Sequence, residues 1–214
     1  MNGIFATVPC ALRIAYMMPA YEQSPESVCA KIMRAHVGEH DIWGYLMPKV
    51  VFFDGMSNYD IVSQCGIIRE KVTRHLSALE AATIRARYGL IDCHVHESGR
   101  RSYHLAADRK AAIKALVSHL GIEFAVLGDK ERAALVARIF INKKNSPVVI
   151  TFREMAETFG RSNGHYHHYY HAIDDRLYHI EMRALDRLTS IFAERGECDG
   201  EPLVAAVVHA ESGQ

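Results

Sequence analysis

Residues 57–80, SNYDIVSQCGIIREKVTRHLSALE, carry the apolar spacing that most constrains the fold. Apolar side chains recur there at Ile68, Val72, Leu76 and Leu79. Intervals of three and four residues are typical of the buried stripe of an amphipathic helix. Ser57 or Asn58 is the predicted N-cap, and Gly66 tolerates the backbone angles of a tight turn. The segment therefore predicts a short helix, a turn at Gly66 and a second helix.

The side of the second helix opposite the stripe carries hydroxyl and basic side chains. They are Arg69, Thr73, Arg74 and Ser77, and Lys71 lies on the same helix. Two alternating runs follow, Leu90–His96 and Arg101–Leu105, which are joined by a turn that ends in Arg100. Alternation around a glycine-containing turn predicts a β-hairpin with a basic tip.

Two helices around a tight turn, followed by this hairpin, resemble the winged helix-turn-helix of MarR-like and related bacterial regulators. The resemblance covers about residues 56–108 and departs from the family at AATIRARYG, an extra helical stretch that carries Arg85 and Arg87. It implies that the second helix reads bases in the major groove and that the hairpin arginines hold the DNA backbone. Residues 57–110 hold nine Lys/Arg against six Asp/Glu. A solvated charged face used for protein contacts is the alternative.

Residues 128–196 show a weaker version of the same pattern, with two predicted helices around a turn. Thr151 with Glu154 fits a capping box, and Gly160 with Asn163–Gly164 supplies turn residues. HYHHYYH, residues 165–171, therefore begins a second predicted recognition helix. We expect a mainly α fold with small β-hairpin wings (α+β), built from tandem winged helix-turn-helix modules.

At 100° of rotation per residue, the histidines and the tyrosines of HYHHYYH fall on different sides of the predicted helix. The tyrosines Tyr166, Tyr169 and Tyr170 share a predicted core face with Ile173, Leu177 and Ile180. Outside that face lie His165, His167, His168 and His171. Three interpretations stay open for these imidazoles: DNA contacts together with Arg161 and Asn163, a metal site built on His167 and His171, or a polar helix face without a ligand.

Composition limits the function classes. Lys+Arg and Asp+Glu are equal at 25 each, so any basic surface is local. Five widely spaced cysteines without a CxxC motif favour a reduced, cytoplasmic protein. The N-terminal segment lacks the pattern of a signal peptide or membrane span. Neither a phosphate-binding loop nor a nucleophile motif occurs, so we expect no enzyme activity, no cofactor and no metal.

The predicted domains are a helical extension at 1–55, used for dimer formation through Ala11–Met18, a first module at 56–120, a second module at 121–200 and a loosely ordered tail at 201–214. The predicted function is a sequence-specific regulator of transcription that binds double-stranded DNA as a homodimer. Helix 133–141 is the other candidate dimer contact. The alternatives are a plasmid or phage replication initiator and a winged-helix protein-interaction module.

Overall fold

The computed structural model describes residues 4–17, 56–95, 101–141, 150–194 and 196–198. Its helices are α1 (Val8–Met17), α2 (Asn58–His75), α3 (Ala78–Tyr88), α4 (Ala107–Glu123), α5 (Asp129–Phe140), α6 (Phe152–Phe159) and α7 (Asn163–Glu194). Strands β1 (Ile91–Val95) and β2 (Arg101–Leu105) pair antiparallel, with Ile91 opposite Leu105 and Val95 opposite Arg101. The chain divides into two compact units, residues 1–76 with 183–214, and residues 77–182.

The expected α+β fold of tandem winged helix-turn-helix modules is wrong, because the described chain is mainly α-helical. Between residues 150 and 194 it forms only α6 and α7, so the second module has no wing there. The strand-like run before Thr151 falls largely in 142–149, outside the described residues.

The turn expected at Gly66 is also wrong. Residues 58–75 form one continuous helix, which begins at a capping box between Ser57 and Asp60. Buried side chains continue through the helix on both sides of Gly66, at Ile61, Cys65, Ile68 and Val72. An unbroken helix keeps this stripe on one face, and that burial offsets the roughly 1 kcal/mol that glycine costs inside a helix.

The helix ends about ten residues after Gly66, and Leu76 and Ser77 connect α2 to α3. Leu76 is extended, and the Ser77 hydroxyl accepts a hydrogen bond from the backbone N–H of Glu80. The Glu80 carboxylate in turn accepts from the Ser77 backbone N–H at 3.0 Å. This reciprocal cap satisfies two N–H groups at the start of α3.

In the first unit, α1 packs against α2. The apolar residues of α1 are buried, among them Leu12 and Ile14. An isolated bridge pairs Phe5 with Cys198, and Lys71 forms an ion pair with Glu197 at 2.5 Å. The apolar face of α1, which we expected to form a dimer contact, is therefore buried within the protomer.

In the second unit, α3 packs on α4 and α4 on α5. The shared core also takes Met155 from α6 and Tyr166, Ile173 and Leu177 from α7. The candidate dimer helix, α5, buries Leu135, Val136 and Phe140 here.

A buried arginine joins three segments of this unit. The Arg109 guanidinium donates hydrogen bonds to the carbonyls of Gly89 and Phe140, each at 2.7 Å, and to that of Arg87 at 3.4 Å. Burial, together with the nearby Arg87 charge, lowers the pKa of Arg109 to about 10. The group remains protonated at neutral pH and satisfies carbonyls at the ends of α3 and α5.

No helix in the described part of the chain combines the length and the apolar character needed to cross a bilayer.

Candidate nucleic-acid interface

A three-residue connection joins α6 to α7. The Thr151 hydroxyl accepts from the Glu154 backbone N–H at 3.1 Å, which caps the start of α6. Gly160 ends α6 in the left-handed region, with φ of 79°. Because this conformation is strained for residues with a side chain, glycine favours the sharp exit from the helix. The backbone N–H of His165 then donates to the Ser162 hydroxyl at 3.2 Å as α7 begins.

Helix α6 folds back over the first turns of α7. Phe159 at its end contacts Tyr166 with ring centroids 6.4 Å apart, and Phe152 at its start contacts Tyr170 at 5.5 Å. Met155 between them is completely buried. Helix α6 therefore packs against the first turns of α7, and α7 begins directly after the short turn at Gly160.

A buried carboxylate fixes the position of this turn. Glu131 on α5 accepts a hydrogen bond from the Tyr166 hydroxyl at 2.6 Å and one from the Gly128 backbone N–H at 2.6 Å. Arg161 forms an ion pair with Glu131 at 3.3 Å and donates to the Val126 carbonyl at 2.9 Å. The turn before α7 is thereby tied to the connection between α4 and α5.

The two ionisable partners have shifted pKa values. Burial raises the pKa of Glu131, but the Tyr166 hydroxyl, the Gly128 N–H, Arg161 and His165 together lower it below its usual value. Burial, and then Glu131 itself, raise the pKa of Tyr166 to about 12. The folded protein therefore holds Glu131 ionised and Tyr166 protonated, the pair of states that the hydrogen bond requires.

Acid is expected to remove the contribution of Glu131 to stability. A carboxyl whose pKa is lower in the folded state stabilises the fold above its unfolded pKa, near 4.3, and this effect disappears as the pH falls through the folded pKa. We expect Glu131→Gln to cost about 1–3 kcal/mol at pH 7, because it disturbs a buried hydrogen-bonded charge, and much less at pH 3. Urea unfolding of both proteins from pH 7 to pH 3 measures the difference.

The matched control is Glu157→Gln, since Glu157 is exposed and pairs only with the exposed Arg153 among the described residues. Its effect should stay within about 0.5 kcal/mol. A cost for Glu131→Gln that is the same at pH 3 and pH 7 would contradict the expected charge state of Glu131.

The outer side of the first turns of α7 forms a surface that we call the imidazole face. It consists of Arg161, Asn163, His167, His168 and His171, all exposed. From residue 161 to residue 173 the sequence contains no carboxylate. The first acidic side chains are Asp174, half-buried, and Asp175, exposed. The face combines hydrogen-bond donors with the positive end of a helix dipole, a chemistry suited to anions.

The remaining residues of HYHHYYH lie deeper. Tyr166 is completely buried, while Tyr169 and Tyr170 are half-buried against the core. His165, expected on the surface, is half-buried, and its Nε2 has no hydrogen-bond partner among the described residues. His165 packs its ring against Tyr169, with centroids 4.7 Å apart, and we leave it out of the imidazole face.

Several residues predicted to contact DNA from the first module have other roles. The prediction that Lys71 contacts DNA is wrong, because Lys71 is buried and pairs with Glu197. The prediction for Ser77 is also wrong, because its hydroxyl caps α3. Arg69 donates to the Ala15 carbonyl at 2.9 Å. Arg87 forms an ion pair with Glu181 at 2.9 Å.

The other predicted contacts of that module are dispersed. Thr73 is exposed, and its hydroxyl donates to the Arg69 carbonyl at 3.2 Å. Arg74 is exposed and Arg85 is half-buried. Arg100 lies outside the described residues, and only the backbone of Arg101 is described, in β2. In contrast, the predicted contacts from 161 to 171, other than His165, come together on one helix start.

Sequence reasoning missed Glu131, which positions this helix start. A local signal was present, because Glu131 stands three residues after Gly128 at the beginning of α5, where a carboxylate caps the helix. Its second role, as acceptor for a hydroxyl 35 residues away, has no local pattern. No protein-family model matches this chain, and no curated protein is similar to it in sequence, so the assignment of the imidazole face depends on its chemistry.

Proposed function

We propose that the chain binds double-stranded DNA in a sequence-specific manner, in transcriptional regulation, and that it does so with the imidazole face. The observation that carries the proposal is the α6–α7 pair, whose fixed turn presents a helix start free of carboxylates over residues 161–173. In helix-turn-helix proteins, the N-terminal residues of the second helix contact base edges.

Each member of the face has a suitable chemistry. Asn163 carries the amide that can pair with the N6 and N7 edge of adenine in the major groove. The ring N–H groups of His167, His168 and His171 can donate hydrogen bonds to phosphate or bases. Asp174 and Asp175 follow His171 by three and four positions, so the DNA contact is limited to the first three turns of α7.

A homodimer and a cytoplasmic location belong to the same proposal. One helix start reads only a few base pairs, and two copies related by two-fold symmetry would read two half-sites. Since the apolar faces of α1 and α5 are buried within their own units, the dimer contact must use another surface. The wide cysteine spacing favours a reducing compartment.

DNA affinity is expected to depend on the three exposed imidazoles. We expect a variant with His167→Ala, His168→Ala and His171→Ala to bind duplex DNA about 10-fold more weakly than the wild type, or weaker still. The variant loses three hydrogen-bond donors to phosphate or bases, each of which contributes about 0.5–1.5 kcal/mol.

Fluorescence anisotropy with duplex DNA in the presence of a chelator measures the affinity of both proteins. His179→Ala is the matched control, because His179 is exposed on the same helix beyond the imidazole face. Equal affinity for the triple variant and wild type would remove this face from DNA binding. Selection from a random duplex pool then tests sequence specificity.

A further inference from the structure

His167 and His171 form a close pair on the exposed side of α7. Their Nε2 atoms are 3.4 Å apart and their ring centroids 4.5 Å apart. The residues are four positions apart on a helix of 32 residues, so successive turns bring the two rings together. Both side chains are exposed, which leaves the space beyond the two nitrogens accessible from solvent.

The separation of the two nitrogens fits a shared metal ion. A tetrahedral ion with metal–nitrogen bonds of about 2.0–2.1 Å holds two ligand nitrogens about 3.3–3.4 Å apart. A direct hydrogen bond between the rings would bring the nitrogens to about 2.7–3.2 Å. The observed 3.4 Å matches the spacing of two ligands and lies at the long end for a hydrogen bond between the two rings.

Neighbouring aromatic rings hold the pair in this orientation. Phe152 packs edge-on against His167, with centroids 5.6 Å apart, and the Arg138 guanidinium lies 4.2 Å from the centroid of Phe152. Tyr170 packs in the same way against His171, at 5.4 Å. Rings that are held before binding lose less conformational entropy when a ligand arrives.

We propose that His167 and His171 are two ligands of a site for a divalent transition-metal ion of the Zn²⁺, Ni²⁺ and Cu²⁺ class. Imidazole nitrogen suits these ions, whereas Mg²⁺ and Ca²⁺ prefer oxygen ligands. Among the described residues, no three His, Cys, Asp or Glu side chains converge on one point. The described part of the chain therefore supplies two ligands, His167 and His171.

A titration of the untagged full-length chain with Ni²⁺ or Zn²⁺ tests the site. Isothermal calorimetry gives the affinity, and the imidazole resonances in NMR spectra identify the ligands. We expect the His167 and His171 resonances to change first and a chelator to reverse the change. Mg²⁺ at the same concentration should change neither. Because no DNA is present, the result is independent of the proposed DNA binding.

Removing either ligand should weaken binding by at least about 100-fold, since the second imidazole no longer binds the same ion intramolecularly. His167→Ala and His171→Ala are the test variants, and circular dichroism confirms that each keeps its helices. His179→Ala is the matched control, an exposed imidazole on the same helix outside the imidazole face, and should bind like wild type. Equal affinity for wild type and both test variants would overturn the proposal, and so would a wild type that binds neither ion.

Discussion

Replacing Tyr166 with alanine is expected to lower the free energy of unfolding by about 3–5 kcal/mol, as large aromatic truncations in protein cores do. Tyr166 is the largest of the completely buried side chains in the described part of the protein. Its ring packs against Phe159, and its hydroxyl donates to Glu131. The substitution creates a cavity and also leaves a buried carboxylate without one of its two closest donors.

Tyr166→Phe separates these two effects. The ring remains and only the hydrogen bond to Glu131 is lost, so we expect a cost of about 1–3 kcal/mol. The matched control is Tyr178→Ala on the same helix. Because Tyr178 is 53% exposed, this substitution should change the free energy of unfolding by about 0.5 kcal/mol or less. Urea unfolding measures all three variants. Equal costs for Tyr166→Ala and Tyr178→Ala would contradict the burial of Tyr166.

Replacing Lys71 with methionine is the second change for which we expect a large effect, about 3–5 kcal/mol of lost stability. The ammonium lies 2.5 Å from Glu197 Oε1, and both side chains are less than 10% exposed. The other carboxylate oxygen, Oε2, has no hydrogen-bond partner among the described residues. The substitution therefore leaves a buried charge without its counter-ion, which costs more than the pair itself contributes.

The double variant Lys71→Met with Glu197→Gln tests this reason. With both charges removed, the loss should be clearly smaller than for Lys71→Met alone, since no unpaired buried charge remains. Lys110→Met is the matched control, because Lys110 is exposed on α4 and its loss should change stability by about 0.5 kcal/mol or less. A double variant no more stable than Lys71→Met alone would contradict the proposed origin of the effect.

Features of the fold that depend on neighbours in sequence could be predicted. The cap at Thr151 and the turn at Gly160 rest on side chains and backbone angles within four residues. The buried stripe of α7, from Tyr166 through Ile173 to Leu177, follows from helical periodicity. The start of α7 near residue 163 follows from these signals together.

Features that depend on competition between distant parts of the chain could not be predicted. Gly66 is compatible with a turn or with a helix, and the buried stripe that runs past it favours the helix. Ser77 looked like a surface hydroxyl, but the helix begins at that residue and uses the hydroxyl as a cap. Lys71 fitted a basic outer face, yet its partner Glu197 is 126 residues away.

In the candidate interface, too, the features set by neighbouring residues could be predicted and those set by distant residues could not. Spacing at 100° per residue separates the tyrosine stripe from the exposed imidazoles, because both follow from the geometry of one helix. The partial burial of His165, which packs against Tyr169 and helps to lower the pKa of Glu131 on another helix, has no such local pattern. The 3.4 Å approach of His167 to His171 depends on ring orientations that Phe152 and Tyr170 fix.

The buried guanidinium of Arg109 has a consequence for the order of folding. Its acceptors lie 20, 22 and 31 residues away, on both sides in the chain, so no single helix can form these hydrogen bonds alone. Until α3, α4 and α5 are all assembled, the charge is left partly solvated and the carbonyls of Gly89 and Phe140 lack their donor. Partly assembled forms are thereby penalised, which favours a cooperative, all-or-none transition for these three helices.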